Sequence, residues 1–386
     1  ICKVPRPSKK EEKIRAYLID FAQSKGLEYK VDEAGNVLIR KSVTPGYEDR
    51  KCVILRTHID MVCEKSNDTV HNFETDPIQT YIDGEWLKAK GTTLGADNVI
   101  GVATELAVLA SDDIEHGPVE CLFTVDEETG LTGAFALKEG FMSGDILLNL
   151  DSEDEGELFI GCAGGAGTTA NFPCPMVKSP EGYFFFRVTV KGLTGGHSGD
   201  DINKSRANAN KLLNRYLMIL SKKYDLYISE IDGGNLHNAI PREAHAVCAV
   251  PMKDKESVRV ELNVFLAEVE NEYSVTEPNV HFELESETAL PEVIEKESMM
   301  KFLNSIHAVH NGVFAMSQDM EGLVETSSNL ASIKMRDGQL VVVTSQRSSI
   351  LSSRKDMSQT VRSAFELGGA SVTTGDGYPG WKPNPS

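Results

Sequence analysis

Short apolar runs that end in polar, mostly acidic residues recur through the first 160 positions of the chain. The run at 121–125 leads directly into three acids at 126–128, and the run at 146–150 is followed by Asp151. Apolar runs of this length, bounded by turn-forming residues, predict buried strands. In open α/β sheets, ligands bind at the carboxyl ends of the strands. The pattern therefore predicts a site made of the residues that follow the strands.

Helical periodicity separates these predicted strands. Residues 8–26 repeat apolar side chains at helical spacing, with Ser8 as the predicted N-cap and Glu11 in the capping-box position. A second helix is predicted to begin at 95–98, after a strand at 52–55. Strands that alternate with helices predict an α/β fold, in which helices cover a mainly parallel or mixed sheet.

The pattern changes at a Gly- and Ala-rich connector, residues 162–167. The strands predicted beyond it carry polar alternation, which is typical of a sheet with one open face. We therefore expect a smaller α+β domain that ends near Gly377. Its predicted strands are 183–191, 244–250, 280–284 and 338–344, and its predicted helices are 203–222, 258–273 and 353–367.

Composition narrows the range of partners. The 386 residues carry a formal net charge of −19, which argues against nucleic acid or an anionic membrane as a partner. No apolar run is long enough to span a bilayer, and no signal peptide is recognisable. The seven cysteines have no paired motif, which fits free thiols in a reducing, cytoplasmic compartment.

The residues at the predicted strand ends suit a divalent metal. Asp60 follows His58 at alternate spacing, so its carboxylate can reach the imidazole and select its tautomer. Asp97 has two carboxylate oxygens and could bridge two metals, although it could also be a helix N-cap. If extended, Glu127 and Glu128 point to opposite sides, so that one binds metal while the other acts on a water as general base.

Asp151 adds a hard oxygen ligand suited to a second metal. One imidazole among several carboxylates fits zinc, with manganese or cobalt as substitutes. Taken singly, these residues also have ordinary explanations: a solvated acidic turn, a structural histidine or a surface aspartate. Their recurrence at successive strand ends favours the metal site.

The motifs resemble those of the co-catalytic zinc exopeptidases, the family that includes aminoacylases, carboxypeptidases and peptidase T. The resemblance extends over essentially the whole chain, and within the family it is greatest to dipeptidases of the Xaa-His type. It implies an α/β catalytic domain with an inserted α+β lid or dimerisation domain, two zinc ions per complete subunit, and a homodimer formed through the lid. The matching segments are 57–62, 94–98, 126–130, 149–153, 195–199 and 238–241.

The resemblance also implies a role for each residue of the metal site. Asp97 would bridge the two metals, and Asp60 would orient the imidazole. Glu127, as general base, would take a proton from the metal-activated water and pass it to the leaving amine. The implied metal ligands are His58, Asp97, Glu128 and Asp151.

In the predicted second domain, the resemblance implies that His197 helps to stabilise the oxyanion. It also implies that Asn238 and Arg347 hold the carboxylate end of the substrate. Arg347 follows a predicted strand, where a guanidinium can bind a carboxylate bidentately, although an ordinary surface arginine has the same sequence pattern. The expected activity is hydrolysis of unblocked dipeptides, with Xaa-His (carnosine-like) substrates favoured. The alternatives are a deacylase, a carboxypeptidase or a tripeptidase on the same scaffold, or a non-catalytic fragment.

The fragment hypothesis rests on one departure from the family pattern. We expect residues 1–164 to form the N-terminal part of the catalytic domain and residues 165–377 to form the lid. Residues 378–386 would begin the return of the chain to the catalytic domain. The family carries a further metal-binding histidine in that returning segment, and none of the nine histidines here corresponds to it. We therefore expect weakened binding at one of the two metal positions.

Overall fold

The computed structural model describes residues 1–65, 69–152 and 156–383. The chain divides into two compact units, Ile1–Leu158 and Phe159–Ser386. The predicted connector therefore lies inside the second unit, close to its start.

The segment at 378–383, predicted to begin a return to the catalytic domain, pairs within the second unit. Isolated bridges join Tyr378 to Gly165 and Trp381 to Cys162. Residues 384–386 lie outside the described part of the chain.

The first unit is built on a mixed sheet of five strands, in the order β1-β2-β6-β3-β7. Strand β3 is parallel to both neighbours, β6 and β7, whereas β2 is antiparallel to β1 and β6. The other two strands, β4 and β5, form a separate hairpin. The strands are β1 (Glu28–Val31), β2 (Val37–Lys41), β3 (Val53–His58), β4 (Thr80–Asp83), β5 (Trp86–Ala89), β6 (Val119–Thr124) and β7 (Ile146–Asn149). The helices are α1 (Glu12–Ser24), α2 (Ala96–Ala110), α3 (Glu127–Gly130) and α4 (Thr132–Ala136).

Strand β6 is buried at every position, because side chains from both faces of the sheet pack against other elements. On one face, Phe123 belongs to a core that includes Leu18 of α1 and Val102 of α2. On the other face, Leu122 packs with Ile54. This double coverage explains why its sequence reads as a continuous apolar run.

The N-terminal helix begins later than predicted, and the predicted capping box does not form. Helix α1 starts at Glu12, and Glu11, at the N-cap position, makes no capping hydrogen bond with its side chain. Ser8 Oγ donates instead to Asp60 Oδ2 at 2.7 Å, and Glu11 Oε1 accepts from the amide of Asp126 at 3.0 Å. The prediction is wrong because both side chains find partners on distant strand ends.

The second unit has the predicted α+β architecture. Its main sheet is antiparallel throughout, in the order β15-β10-β14-β12-β18-β19-β8-β20, with β17 paired to β18. The strands are β8 (Gly164–Pro173), β9 (Met176–Lys178), β10 (Tyr183–Lys191), β11 (Gly196–His197), β12 (Tyr227–Gly233), β13 (Ala239–Ile240), β14 (Ala244–Pro251), β15 (His281–Ser286), β16 (Glu292–Ile294), β17 (Gly312–Met316), β18 (Val324–Arg336), β19 (Gln339–Ser348) and β20 (Ser371–Thr374). The helices are α5 (Ala209–Lys223), α6 (Lys255–Glu272), α7 (Lys296–Ala308) and α8 (Leu351–Leu367).

All four helices contribute to one large core on the sheet, through Tyr216, Phe265, Phe302 and Phe365. Helix α5 starts later than predicted, because the side chain of Asn208 caps it by accepting from the amides of the second and third helical residues. Among the described residues, no helix combines the length and the apolar character needed to cross a bilayer.

Candidate metal centre

Three parallel strands deliver the predicted site residues to one edge of the first unit's sheet. His58 is the last residue of β3 and is paired in register with Thr124 of β6. Strand β7 lies on the other side of β3, also parallel to it, and Asp151 follows its end. The carboxyl ends of these strands therefore meet, as predicted from the alternation of strands and helices.

Asp60 organises this edge. The side chain is fully buried, and its Oδ1 lies 3.2 Å from His58 Nδ1 and accepts from the amide of Glu127 at 3.0 Å. Its Oδ2 accepts from Ser8 Oγ at 2.7 Å and from the amide of Glu128 at 3.1 Å. Burial alone raises the pKa of Asp60, but these hydrogen bonds outweigh it and lower the pKa below its usual value. When His58 is neutral, an ionised Asp60 keeps its remaining proton on Nδ1 and leaves Nε2 available to a metal.

The Nε2 atom of His58 faces acidic side chains. It lies 2.9 Å from Asp97 Oδ1 and 3.4 Å from Asp151 Oδ1. His58, Asp97 and Glu128 each offer one ligand atom, and these atoms all lie within 4.8 Å of one another. One imidazole with several carboxylate oxygens is a donor set that fits zinc or a similar divalent metal.

The acids that follow β6 do not continue as a strand. Asp126 adopts left-handed backbone angles (φ 50°, ψ 50°), and Glu127 begins the single helical turn α3. The expectation that Glu127 and Glu128 point to opposite sides of an extended segment is therefore wrong. Asp126 accepts hydrogen bonds from the hydroxyls of Thr129 and Thr132, so its carboxylate stabilises the turn.

Asp97 lies near the start of α2, which Gly95 precedes, but the backbone angles of Asp97 (φ −77°, ψ 109°) are not helical. Gly95 has φ +68°, and a Cβ there would collide with the side chains of Arg6 and Met61. The Asp97 side chain is 53% exposed, and its carboxylate contacts His58 at the edge of the sheet. The structure therefore places the carboxylate of Asp97 at the imidazole of His58.

Two residues that the sequence interpretation missed hold Asp151. Arg56 Nη1 donates to Asp151 Oδ2 at 2.7 Å, and Asn98 Nδ2 donates to its Oδ1. Burial raises the pKa of Asp151, but contacts with His58, Asn98 and Arg56 outweigh it and hold the pKa well below its usual value. The sequence did offer a signal for Arg56, because a charged residue directly follows the apolar run at 52–55. Glu153, in the matching segment 149–153, lies outside the described residues.

The pKa values of Glu127 and Glu128 are raised, in contrast to those of Asp60 and Asp151. Burial, followed by the charge of Asp97, raises the pKa of Glu128 to about 7. Burial also raises the pKa of Glu127, and the charge of His58 only partly offsets it. Acids crowded in this way favour a bound cation, which relieves their mutual repulsion.

Zinc binding is expected to release protons. Burial lowers the pKa of His58, but hydrogen bonds to Asp151, Asp60 and Asp97 raise it to about 12, so the metal-free imidazole is charged at pH 7. Glu128, with a pKa of about 7, is partly protonated. Both must lose their protons to bind metal, so roughly one to two protons should leave per zinc, and affinity should rise with pH through neutrality. Calorimetry in two buffers of different ionisation enthalpy measures this release. An affinity that falls as the pH rises from 6 to 8, or no release, would contradict it.

The second unit brings two of its predicted site residues together. Arg347 Nη2 lies 3.4 Å from His197 Nε2, and Arg347 Nη1 donates to the Tyr378 hydroxyl at 3.2 Å. His197 Nδ1 lies 2.7 Å from Asp200 Oδ2, which fits a proton on Nδ1 and an acceptor at Nε2. Arg347 lies within β19, whereas the sequence predicted a position just after a strand.

Asn238 is connected to this arrangement through its backbone. Its carbonyl accepts from the amide of Ser198 at 2.7 Å, and the next residue, Ala239, pairs with His197 across the β11–β13 ladder. The side chain of Asn238 is half-buried.

Asn329 and Ser198 are polar residues that the sequence interpretation missed. Asn329 Nδ2 donates to the Ala239 carbonyl at 2.8 Å, and the register of β18 with β19 places Asn329 on the same face as Arg347. In this group, one buried atom of each of three residues has no hydrogen-bond partner within the described part of the chain: Ser198 Oγ, Asn329 Oδ1 and Arg347 Nε. Because buried polar atoms are normally hydrogen-bonded, this group suits a polar ligand.

Comparison with known proteins relates the second unit to a known domain family and the whole chain to known peptidases. Residues 182–277, within the second unit, match the peptidase dimerisation domain family. Over 384 residues the chain is 43% identical to the cytosol non-specific dipeptidase of Escherichia coli (strain K12), covering 100% of this chain and 79% of that protein. A shorter match, 32% identical over 119 residues, relates 29% of the chain to 29% of peptidase T from Exiguobacterium sp. (strain ATCC BAA-1283 / AT1b).

A solved structure extends the likeness to the fold. The crystal structure of aminoacylhistidine dipeptidase from Vibrio alginolyticus is 44% identical in sequence, with a TM-score of 0.81, over 99% of this chain and 78% of that one. An imidazole and carboxylates at a sheet edge, joined in one chain to a peptidase dimerisation domain, define a metallopeptidase. The chain belongs to the M20 family of metallopeptidases, and the Escherichia coli and Vibrio alginolyticus relatives, which match it along nearly its whole length, are dipeptidases.

Proposed function

We propose that this protein is a zinc-dependent dipeptidase that hydrolyses unblocked dipeptides and favours Xaa-His, carnosine-like substrates. The convergence of His58, Asp97 and Glu128 ligand atoms within 4.8 Å carries the metal-dependent part of the proposal. The similarity to a cytosol non-specific dipeptidase and to an aminoacylhistidine dipeptidase supports the substrate class.

Four side chains would hold the zinc ions, of which there would be two per complete subunit, with manganese or cobalt as substitutes. Asp97 would bridge, since its carboxylate has two oxygens and half of it is exposed. His58 and Asp151 would share one ion, because Nε2 of the first lies 3.4 Å from Oδ1 of the second. Glu128 would bind on the other side of Asp97. When bound, zinc would polarise the peptide carbonyl and acidify a water molecule.

Glu127 would act as the general base. Burial raises the pKa of its carboxyl group, so a proton taken from the attacking water is held long enough to be passed to the leaving amine. The backbone amide of Glu127 donates to Asp60 at 3.0 Å, which fixes the turn from which this carboxylate projects.

The second unit would supply the groups that recognise the substrate. Arg347 and Asn238 would bind the substrate carboxylate, and His197 would stabilise the oxyanion. The Arg347 guanidinium lies beside the His197 imidazole and has an unpartnered Nε, which favours a carboxylate as the ligand group. The unpartnered Ser198 Oγ and Asn329 Oδ1 add polar contacts beside it.

We also propose a cytoplasmic homodimer formed through the second unit, which would act as the lid or dimerisation domain, whereas the first unit would act as the catalytic domain. The match of residues 182–277 to the peptidase dimerisation domain family supports the dimer. The acidic net charge of −19 supports the absence of nucleic acid partners.

A substrate panel tests the activity and separates it from the alternatives. Zinc-loaded protein should cleave carnosine-like and other Xaa-His dipeptides faster than N-acetylated amino acids, tripeptides and longer peptides. Equal rates on Xaa-His and other unblocked dipeptides would overturn the Xaa-His preference alone. Faster cleavage of acylated amino acids, longer peptides or tripeptides would instead favour the deacylase, carboxypeptidase or tripeptidase.

Replacing Arg347 with Ala should raise KM for a free dipeptide by about 100-fold with a smaller change in kcat, because a charge-assisted contact to the carboxylate is lost. The same dipeptide with an amidated C-terminus should respond little to the substitution. Arg336→Ala, an exposed arginine at the end of β18, is the matched control and should behave as the parent does. A KM that is unchanged in Arg347→Ala would remove Arg347 from substrate binding.

A further inference from the structure

The residues just before α1 run along the edge that carries the metal centre. This N-terminal strap, residues 6–11, begins with a buried arginine and ends at the N-cap of α1. Pro7 forms a parallel bridge with Met61, just beyond Asp60. Lys9 adopts a left-handed φ of 67°, so the strap turns sharply before the helix. The strap thereby contacts the start of α2 and the segments that follow β3 and β6.

The first contact is with the start of α2. Arg6 is 2% exposed, and its Nη2 donates to the Gly95 carbonyl at 2.7 Å. Gly95 is the N-cap that precedes Asp97. A buried guanidinium that binds a backbone carbonyl fixes the position of that carbonyl, because leaving the charge without partners is costly.

The second contact is with Asp60, which holds the imidazole of His58. Ser8 Oγ donates to Asp60 Oδ2 at 2.7 Å, on the oxygen that also accepts the amide of Glu128. The hydroxyl is thus one of the donors that fix the position of this buried carboxylate.

The third contact is with the turn that carries the glutamates. Glu11 Oε1 accepts from the amide of Asp126 at 3.0 Å and from the amide of Lys9 at 2.8 Å. One carboxylate oxygen therefore joins the left-handed residue of the strap to the left-handed residue before Glu127. Glu11, Asp60 and Asp126 are all buried, and one oxygen of each lies within 4.8 Å of the others. Crowding three buried acids is unfavourable unless hydrogen-bond donors compensate them. Here most of the donors are backbone amides and hydroxyls of the glutamate turn, and Ser8 and Lys9 of the strap supply two more.

We propose that the N-terminal strap sets the geometry of the metal centre, with Arg6, Ser8 and Glu11 as positioning residues for Asp97, His58 and the glutamate turn respectively. This inference rests on the proposed metal-dependent function. It gives a role to Ser8 and Glu11 that their spacing as a capping box did not reveal. In this proposal each of the three side chains acts through the segment that carries a metal ligand.

Zinc affinity of the full chain tests the strap, with Ser8→Ala and Glu11→Ala as the variants. Each should weaken zinc binding by about 10- to 100-fold in a competition titration with a chromophoric chelator, as is typical when a group that orients a ligand is removed. With cobalt as the metal, both variants should shift or weaken the visible absorption bands, which report ligand geometry. With a dipeptide substrate, kcat should fall while KM stays within about twofold of the parent.

Two matched variants separate positioning from general damage. Glu11→Gln keeps an oxygen acceptor for both amides and should retain most of the zinc affinity. Lys10→Ala removes an exposed side chain of the same strap, which pairs with Glu74, and should leave affinity unchanged. Parent-like zinc affinity and cobalt spectra in both Ser8→Ala and Glu11→Ala would overturn the proposal, as would an equal loss in Lys10→Ala.

Amide hydrogen exchange of the metal-free chain makes the test independent of metal and activity. Segment 124–132 should exchange at least about tenfold faster in Glu11→Ala than in Lys10→Ala, because the turn has lost an anchor. If the parent chain bound no zinc, the proposed function would be wrong. The exchange result would still show whether the strap holds the glutamate turn, because it is measured on the metal-free chain. Unchanged exchange in Glu11→Ala, or in Ser8→Ala if the first variant does not fold, would overturn the proposal for the strap.

Discussion

Replacing Glu127 with Gln is expected to lower kcat by about 1,000-fold, in the middle of the usual range for loss of a general base, while bound metal stays the same. Glutamine has nearly the same shape, and the amide of residue 127 can still donate to Asp60. What disappears is the carboxylate whose pKa burial has raised toward neutrality. Steady-state kinetics and zinc content, measured on the same preparation, check both parts of the expectation.

The control for this variant is Glu139→Gln, which removes an exposed carboxylate on the same unit. It should leave kcat and zinc content unchanged. A Glu127→Gln variant that keeps more than about a tenth of the parent kcat would exclude Glu127 as the base, since a real base contributes at least 100-fold. A variant that loses its zinc would instead make Glu127 a ligand and require a different base.

Replacing Asp60 with Ala is expected to destabilise the metal-free chain by about 3 kcal/mol or more, because buried donors lose their acceptor. Those donors are the amides of Glu127 and Glu128, the hydroxyl of Ser8 and the ring of His58. Zinc affinity should fall by about 10- to 100-fold or more, because the imidazole is no longer oriented. Urea unfolding of the metal-free chain and zinc competition measure the two effects.

Asp60→Asn separates shape from charge. Its single oxygen can serve only part of the donor set, and its NH₂ group faces donors, so its stability should lie between those of the parent and Asp60→Ala. Asp112→Ala, an exposed aspartate beyond α2, should have no measurable effect. Parent-like stability and zinc affinity in Asp60→Ala would show that this carboxylate does not organise the site.

Local pattern predicted the elements and the strand ends of the first unit well. The alternate spacing of His58 and Asp60 placed the carboxylate at the imidazole, and the structure has the two side chains 3.2 Å apart. Parallel pairing of β3 with β6 then brought the Glu127 turn to the same edge. These relations follow from strand periodicity and from the alternation of elements, both of which can be read along a single chain.

Relations that depend on partners far apart in the chain were missed or misread. Ser8 and Glu11 have the spacing of a capping box, but they bond to Asp60 and Asp126 across the fold. The left-handed turn at Asp126 is likewise invisible in a run of acids, because tertiary donors stabilise it. In the second unit, nothing in the local sequence of Asn329 indicates that it shares a face with Arg347; only the register of β18 with β19 shows this.

The central claim is that His58, Asp97, Glu128 and Asp151 form a metal centre, and zinc content per chain tests it most directly. The chain would be equilibrated with zinc, freed of excess metal and measured by elemental analysis, beside an Asp97→Ala variant. We expect at least one tightly held zinc per chain in the parent and its loss in the variant, since Asp97 is the side chain nearest to His58 Nε2, at 2.9 Å. No zinc in the parent, or the same zinc content in the variant, would contradict the assignment.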